Sequence, residues 1–435
     1  MTEKSNTLNI EVHHVTRIEG HGNIVVRAKD GVVEKVEWQV PEAPRFFEAM
    51  VRGRSWEDIQ TIVSRICGIC SVSHSLAAIK AIENAMGIQV SQQTDRLRIL
   101  SHYAEYMESH ILHAGYLVAP DLLGQKSVVP LAASHPDLVK TVIGLHRLGN
   151  EWMELLAGRM THPVTFKPGG FSSLPSEAQL RDLQQRLVAG LPELEKLAQA
   201  VLSLADRLPA FTRDTEYIGL VDGQSYTFYH GAIGSTDGKE TVPVRQFESV
   251  VNEYVSPQST AKWAKWHRDS YAVGALARFN LNAAYLRPQA AKAAKAFGLK
   301  PKNCNPYFNT VAQLVESFQI VEHALEIIDA VLAAGVKSET PKVAPKAGEG
   351  TGAVEAPRGT LFHRYAFDEK GICLKANLCI PTNQNHANIQ KDFEAFVPQI
   401  ISRDPQEVRL LLEMLVRAYD PCVSCSTHFL DVKFV

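Results

Sequence analysis

Two Cys-x-x-Cys pairs, one toward each end of a 435-residue chain, constrain this fold more than any other feature. Cys67 and Cys70 sit in RICGICSVSH, residues 65–74, and Cys422 and Cys425 in YDPCVSCSTH, residues 419–428. Each pair presents two sulfurs on one turn of backbone. Cys67 and Cys70 precede a stretch that reads as a helix, whose N-terminal dipole favours thiolate. Four converging thiolates carry about four negative charges, tolerable only if a metal compensates them. A zinc ribbon places its two pairs about 15–20 residues apart. The spacing here argues against a local zinc knuckle and leaves open a zinc that joins the two ends. A thioredoxin-like redox pair accounts for one Cys-x-x-Cys but not for two. Sulfur ligands suit soft metals such as iron, nickel or zinc.

The other cysteines, Cys304, Cys373 and Cys379, stand alone and read as small buried apolar side chains. Seven cysteines with no export signal argue against a disulfide framework. The start, MTEKSNTLNIEV, lacks the basic and apolar blocks of a secretory leader and has no Arg-Arg pair. No apolar run approaches the ~20 residues that span a bilayer. The chain is therefore expected to be cytoplasmic, with no direct membrane span. A net charge of −2 gives no general pull toward nucleic acid or anionic lipid. With 45% apolar and 21% charged residues the composition is globular.

Residues 7–40 read as strands turning at Asp30-Gly31. Helical spacing predicts helices over 71–86, ending at Gly87, and over 96–118, 137–158, 176–205, 258–283, 309–334 and 404–418. Helices this long and apolar want partners on several sides, which predicts a bundle. A second hairpin is expected to turn at DEKG, residues 368–371. The predicted class is mainly α with β (α+β): one large domain, 1–435, with a long-helix bundle core. It has an N-terminal β region (1–60), an inserted β-rich lobe (210–250), a Pro/Gly-rich flexible loop (336–356) and a C-terminal metal-binding segment (419–435).

Further side chains draw attention. VTRIEGHG places Glu19 at a strand-to-turn junction. EAPRG sets Arg358 between a proline and a glycine, where rigid backbone suits a fixed guanidinium. CIPTNQN puts Thr382 after Pro381, as turn chemistry first and ligand donor second. His110 and His113 lie three apart on one helix, and packing or hydrogen bonding explains them better than metal ligation. Glu48, in RFFEAM, reads by itself as an exposed helix carboxylate.

Taken together, these segments resemble the large, catalytic subunit of a nickel–iron hydrogenase, nearly end to end. The motifs are R-I-E-G-H, R-x-C-G-x-C followed by histidine, S-H-x-x-H, A-P-R-G, the P-T turn and D-P-C-x-x-C-x-x-H. EAPRFFEAMVRGR and SRICGICSVSH resemble the cytoplasmic, bidirectional branch. The resemblance implies that Cys67, Cys70, Cys422 and Cys425 bind nickel, with Cys70 and Cys425 bridging to an iron that carries carbon monoxide and cyanide. It implies that Thr382 hydrogen-bonds a cyanide, that Arg358 stands over the open metal site with Asp121 orienting it, and that His74 hydrogen-bonds a bridging sulfur. Pro357 and Pro381 would line the surroundings. Glu48 and His428 would hold a second metal, Mg2+ or Fe2+.

The implied reaction is reversible heterolytic cleavage of H2, which needs a Lewis acid and a nearby base. Cys422, or Arg358, would take the proton and Glu19 would pass it on. No further Cys-x-x-Cys remains for iron–sulfur clusters and no G-x-G-x-x-G opens a helix for a dinucleotide. Electrons would thus leave through an iron–sulfur small subunit, toward an NAD(P) or flavin module or a heterodisulfide reductase. Metallochaperones and a maturation protease are implied partners; the tail FLDVKFV after His428 is either a cleavable extension or a retained end. Three rivals remain. The quinone-site subunit of respiratory complex I lacks the metal-binding cysteines. A hydrogen-sensing regulatory protein would keep the same ligands. A non-enzymatic protein clasped by one zinc would hold no nickel.

Overall fold

This computed structural model describes residues 7–339 and 343–427. The chain opens with an antiparallel meander of β1 (Thr7–Val12), β2 (Asn23–Lys29) and β3 (Val32–Gln39). Asp30 and Gly31 both take positive φ, the two-residue turn whose twist matches the flanking strands. Alternation decides the faces: Ile24, Val26 and Trp38 are fully buried while Val32 is exposed. Two short helices follow, α1 (Phe47–Val51) and α2 (Trp56–Val63). Next comes α3 (Ser71–Met86), nearly every residue of which is buried and which ends at Gly87 in the left-handed conformation.

Helix α4 (Gln92–Leu112) starts at Ser91, whose hydroxyl accepts from Thr94 N, and widens into a π-helical stretch, His113–Val118. Helices α5 (Pro136–Ala157) and α6 (Glu177–Leu202) pack in sequence beside it, α6 opening with a Ser176–Gln179 capping box. A small hairpin, β4 (Glu216–Val221) and β5 (Ala232–Ser235), precedes α7 (Ala275–Asn282) and α8 (Phe308–Ala334). Along α8, Val311, Leu314, Val315, Phe318, Val321 and Ile328 are buried against α4 and α6. The second sheet is β6 (Gly348–Ala356), β7 (Gly359–Phe367) and β8 (Cys373–Cys379), with β7 central. The chain continues through α9 (Pro381–Ile400) and α10 (Pro405–Ala418) to a single turn, α11 (Val423–Ser426). The class is α+β, as expected.

Three expectations are corrected. The first concerns 336–356, expected as a flexible linker: residues 348–356 are strand β6, buried over most of its length. The glycines are a packing device. A Cβ at Gly348, Gly350 or Gly352 would lie 2.1–2.2 Å from the carbonyl oxygens of Ala85, Ala81 and Ala77 on α3. Alternate glycines on one face thus let the backbones of helix and strand touch. The second concerns 258–283, of which only α7 is helical. Upstream, the backbone pairs at long range: Val40 N donates to Gln258 O, Thr260 N to Val40 O, and Trp263 pairs with Tyr254. Those bonds to the end of β3 and to a neighbouring loop replace a helix that apolar spacing alone suggested.

The third concerns the 210–250 stretch, which shares a core with the second sheet instead of forming an inserted lobe. Ile218, Leu220, Ile233 and Phe247 pack on Ala353 and Phe362, and the rings of Phe247 and Phe362 stack at 4.9 Å. Leu220 N also donates to the buried Glu355 carboxylate.

Segments from the N-terminal sheet and the C-terminal cysteine turn meet on α9. Its Gln390 exchanges hydrogen bonds with the backbone of Trp38 and Val36 in β3, and its His386 bridges the Trp38 indole to the Ser426 hydroxyl.

Candidate metal centre

Cys67 follows a 3-10 turn and has extended backbone; Cys70 stands at the N-cap of α3. This tight turn aims Cys70 N at Cys67 Sγ, 3.1 Å away. At the other end, α10 stops at Ala418, Asp420 takes φ 49°, and Pro421 leads into Cys422 and the α11 turn that carries Cys425. Cys67 Sγ lies 3.6 Å from Cys422 Sγ, and Cys70 Sγ 4.0 Å from Cys425 Sγ. All four sulfurs fall within 4.8 Å of one another and are buried. Cys422 and Cys425 are paired as a disulfide here; holding a metal requires both as thiolates.

One guanidinium ties the two loops: Arg45 Nη2 donates to Ile66 O and Ser424 O, at 2.7 and 2.5 Å. Backbone pairing adds to this, with Val423 N donating to Glu19 O. Gly20 is required beside it, since a Cβ there would lie 2.6 Å from Ser424 N.

The charges fit a cation. Burial pushes the Cys67 thiol up, but the hydrogen bond from Cys70 and the Arg358 guanidinium outweigh it, and Cys67 falls below the ordinary thiol range. Burial and the adjacent Cys67 sulfur push Cys70 well above it. Arg358 therefore offsets one thiolate and not the whole set, which a divalent metal would complete. Arg358 lies in the β6–β7 turn. Its Nε donates to Asp420 O (2.7 Å) and its Nη2 to Asp420 Oδ1 (3.0 Å), while the buried Nη1 has no hydrogen-bond partner among the described residues. Burial opposes its charge, yet Asp420, Cys70, Cys67 and Glu19 together hold it more firmly protonated than usual.

The expectation that Asp121 orients Arg358 is corrected. Asp121 is taken by two other arginines: Arg17 Nη2 donates to Oδ1, and Arg417 donates from Nε to Oδ2 and from Nη2 to Oδ1, at 2.7 and 3.1 Å. Both oxygens are engaged, and Asp420 does the work at Arg358. Glu19 Oε2 lies 3.1 Å from Cys422 Sγ and accepts from Ser424 N, and the Ser424 hydroxyl donates to Oε1. Glu19 is half-buried, not enclosed. Thr382 Oγ1 accepts from Cys422 N at 3.0 Å, so its own proton is left to donate.

His74 Nδ1 faces His363 Nε2 at 3.1 Å, and His363 Nδ1 faces the Tyr365 hydroxyl. Pro357 O accepts from Arg278, and Pro381 opens α9. Glu48 is buried and accepts from Leu378 N at 2.8 Å. His428 lies outside the described residues. His110 and His113 face Glu316 and Gln313 on α8. Cys373 and Cys379 are buried in β8 and Cys304 is half-buried.

Sequence reasoning missed Asp420, Arg45 and Glu105. Asp420 stood inside the quoted D-P-C with no role given to it. Glu105 caps the start of α3, its Oε2 accepting from Val72 N at 2.6 Å, and burial pushes it up to about 8. Nothing in its spacing sets it apart from any other helical glutamate.

Comparison with known proteins gives two family matches: "Nickel-dependent hydrogenase" over residues 45–144 and 220–428, and "HoxL-like" over 9–43. The alpha subunit of sulfhydrogenase 2 of Pyrococcus furiosus is 31% identical over 430 residues, covering 97% of this chain and 100% of the relative. A vhu subunit of the F420-non-reducing hydrogenase of Methanococcus voltae is 34% identical over 411 residues, covering 88% and 96%. The beta subunit of the NAD-reducing hydrogenase HoxS of Cupriavidus necator is 30% identical over 466 residues, covering 96% and 94%. A crystal structure of an NAD+-reducing NiFe hydrogenase in the H2-reduced state superposes with a TM-score of 0.86 at 27% identity, over 97% of this chain and 100% of that one. With the four sulfurs converging as described, this chain belongs to the nickel-dependent hydrogenase family, as the catalytic large subunit of a nickel–iron enzyme that cleaves molecular hydrogen.

Proposed function

We propose that Cys67, Cys70, Cys422 and Cys425 hold nickel, that Cys70 and Cys425 are shared with an iron bearing carbon monoxide and cyanide, and that Cys422 and Glu19 handle the proton. The convergence of four buried sulfurs from the two ends of the chain carries this reading. When bound, the metal pair supplies the Lewis acidity that polarises hydrogen.

The chain's own groups do the rest. Arg358, held cationic by Asp420, would stand over the site as a fixed positive charge, with Nη1 still free to donate, and would not take the proton itself. Cys422 Sγ receives the proton, and Glu19 Oε2, 3.1 Å away, carries it toward solvent. Thr382, anchored by Cys422 N, would offer its hydroxyl proton to a cyanide of the iron. Each H2 yields two protons and two electrons. The relatives are named as subunits of larger hydrogenases, so a small subunit is the electron partner. We assign it iron–sulfur clusters, and beyond it an NAD(P) or flavin module or a heterodisulfide reductase. Metallochaperones and a maturation protease would complete the site. Glu48 and His428 would hold a second ion, Mg2+ or Fe2+; a buried carboxylate at Glu48 supports this.

No helix of the described residues is long and apolar enough to cross a membrane; we assign the enzyme to the cytoplasm. The resemblance to the bidirectional branch and the kinship with the NAD-reducing enzyme support that placement. Glu19→Gln is the test of the relay. Turnover should fall by about tenfold or more, with nickel and iron contents unchanged by elemental analysis. Full turnover in the nickel-loaded variant removes Glu19 from the path. Zinc without nickel in the purified complex would overturn the whole reading.

A further inference from the structure

His110 and His113 both find partners on α8, and what they build reaches the metal centre. They lie one turn apart, His110 at the end of α4 and His113 at the start of its π-helical extension, facing Glu316 and Gln313, one turn apart on α8. His110 Nε2 meets Glu316 Oε2 at 2.8 Å and His113 Nδ1 meets Gln313 Oε1 at 2.5 Å, two rungs between antiparallel helices. All four side chains are buried.

Each rung continues toward Arg358. From Glu316, Arg278 takes two bonds, Nε to Oε1 at 2.6 Å and Nη2 to Oε2 at 2.7 Å. Its remaining N–H groups go to Glu355 Oε2, Ala356 O and Pro357 O, the three residues before Arg358. From Gln313, Nε2 donates to Asp420 Oδ2 at 3.0 Å, while Asp420 Oδ1 receives Arg358 Nη2. The first rung thus fixes the backbone that leads into Arg358, and the second fixes its guanidinium.

The second rung has one consistent direction. Asp420 requires a donor, so the Gln313 amide turns its NH2 toward the carboxylate and its oxygen toward His113, which donates from Nδ1. On its far side Nε2 faces Arg417 O at 2.7 Å, a second acceptor, so both contacts are hydrogen bonds only when both ring nitrogens carry a proton. Removing the imidazole would take away the donor on the Gln313 oxygen and leave the amide free to swing off Asp420.

We propose that Gln313, oriented by His113, is a positioning residue for Arg358: it holds Asp420 so that the guanidinium faces the metal centre. The inference rests on the reading of Arg358 as the group over that centre. A mispositioned catalytic group costs one to two orders of magnitude in turnover without loss of the metal.

The test uses the purified nickel-loaded complex with its small subunit. Four measurements are made on each variant: nickel content, kcat, KM for H2, and the Arg358–Asp420 contact in a crystal structure. Gln313→Leu should keep its nickel and its KM, lose about tenfold or more in kcat, and show Arg358 displaced from Asp420. His113→Leu should behave the same way. His113→Gln, which still offers an amide donor to Gln313, should recover most of the rate. Nickel-loaded Gln313→Leu with unchanged kcat and an unmoved Arg358 would overturn the proposal. If Gln313→Leu does not accumulate, Gln313→Met decides on the same criteria, since it removes the donor at similar volume. Arg358→Lys separates the two levels: full turnover there removes the premise, whereas an inactive Arg358→Lys beside a fully active Gln313→Leu removes the positioning role alone.

Discussion

Asp420 and Asp121 are both buried aspartates paired with arginine, yet their consequences differ because of what those arginines face. Arg358 lies close enough to the cysteine pair for its charge to act on Cys67 and Cys70, whereas Arg17 and Arg417 are held on Asp121 and on backbone carbonyls. Asp420→Asn is therefore expected to lower kcat by about tenfold or more while nickel stays bound, because the guanidinium loses its charged partner. Asp121→Asn should instead cost about 3 kcal/mol of stability, the usual result of stripping a buried ion pair of one member. Dye-linked hydrogen oxidation and denaturant unfolding, run on both variants, separate the two. A fall in kcat confined to Asp121→Asn would reverse the assignment. His110 and His113 show the same dependence on surroundings: two histidines at a ligand-like spacing end up as neighbours of two different α8 side chains.

At the scale of elements, α3 and β6 form the contact on which the site's geometry stands. The first cysteine pair precedes α3 and Arg358 follows β6, so the glycine-mediated packing of the two elements supports both sides of the site. Gly350→Ala is expected to destabilise the protein by about 2–3 kcal/mol, since the new methyl meets backbone atoms that have nowhere to move. A melting temperature equal to that of the unchanged chain would show that the two backbones separate more easily than their packing suggests.

A second element-scale contact is His386 on α9, which accepts the Trp38 indole N–H at Nδ1 and faces Ser426 Oγ at Nε2. Burial lowers His386 to about 3, against 6.5 ordinarily. The folded state therefore binds fewer protons than the unfolded state between those values. The stability it confers is complete above 6.5 and is lost as pH falls toward 3, by about 1.4 kcal/mol per unit. Thermal unfolding at pH 7 and pH 5 should show a smaller acid loss in His386→Gln than in the unchanged chain; equal losses would sink this account.

For the whole molecule, the governing fact is that residues 67–70 and 422–425 share one buried site. Local sequence dictates the elements whose signals lie within a few residues. The Asp30-Gly31 turn, the Ser71–Met86 helix closed by Gly87 and the long apolar stripe of α8 follow from conformational preference and periodicity. It also determined the chemical types available for a site, through two thiol pairs, an arginine between proline and glycine, and a glutamate at a turn.

Long-range packing settles how these types are partnered. It chose Asp420 over Asp121 for Arg358, because both are equally plausible until packing brings one to 3.0 Å. It turned Gly348, Gly350 and Gly352 from an apparent linker into a buried strand, because a glycine's value there lies in the helix opposite. It replaced a helix upstream of α7 with pairing to the end of β3. In each case the deciding contact spans a large separation along the chain, and local sequence encodes which groups are present without encoding which of them will meet.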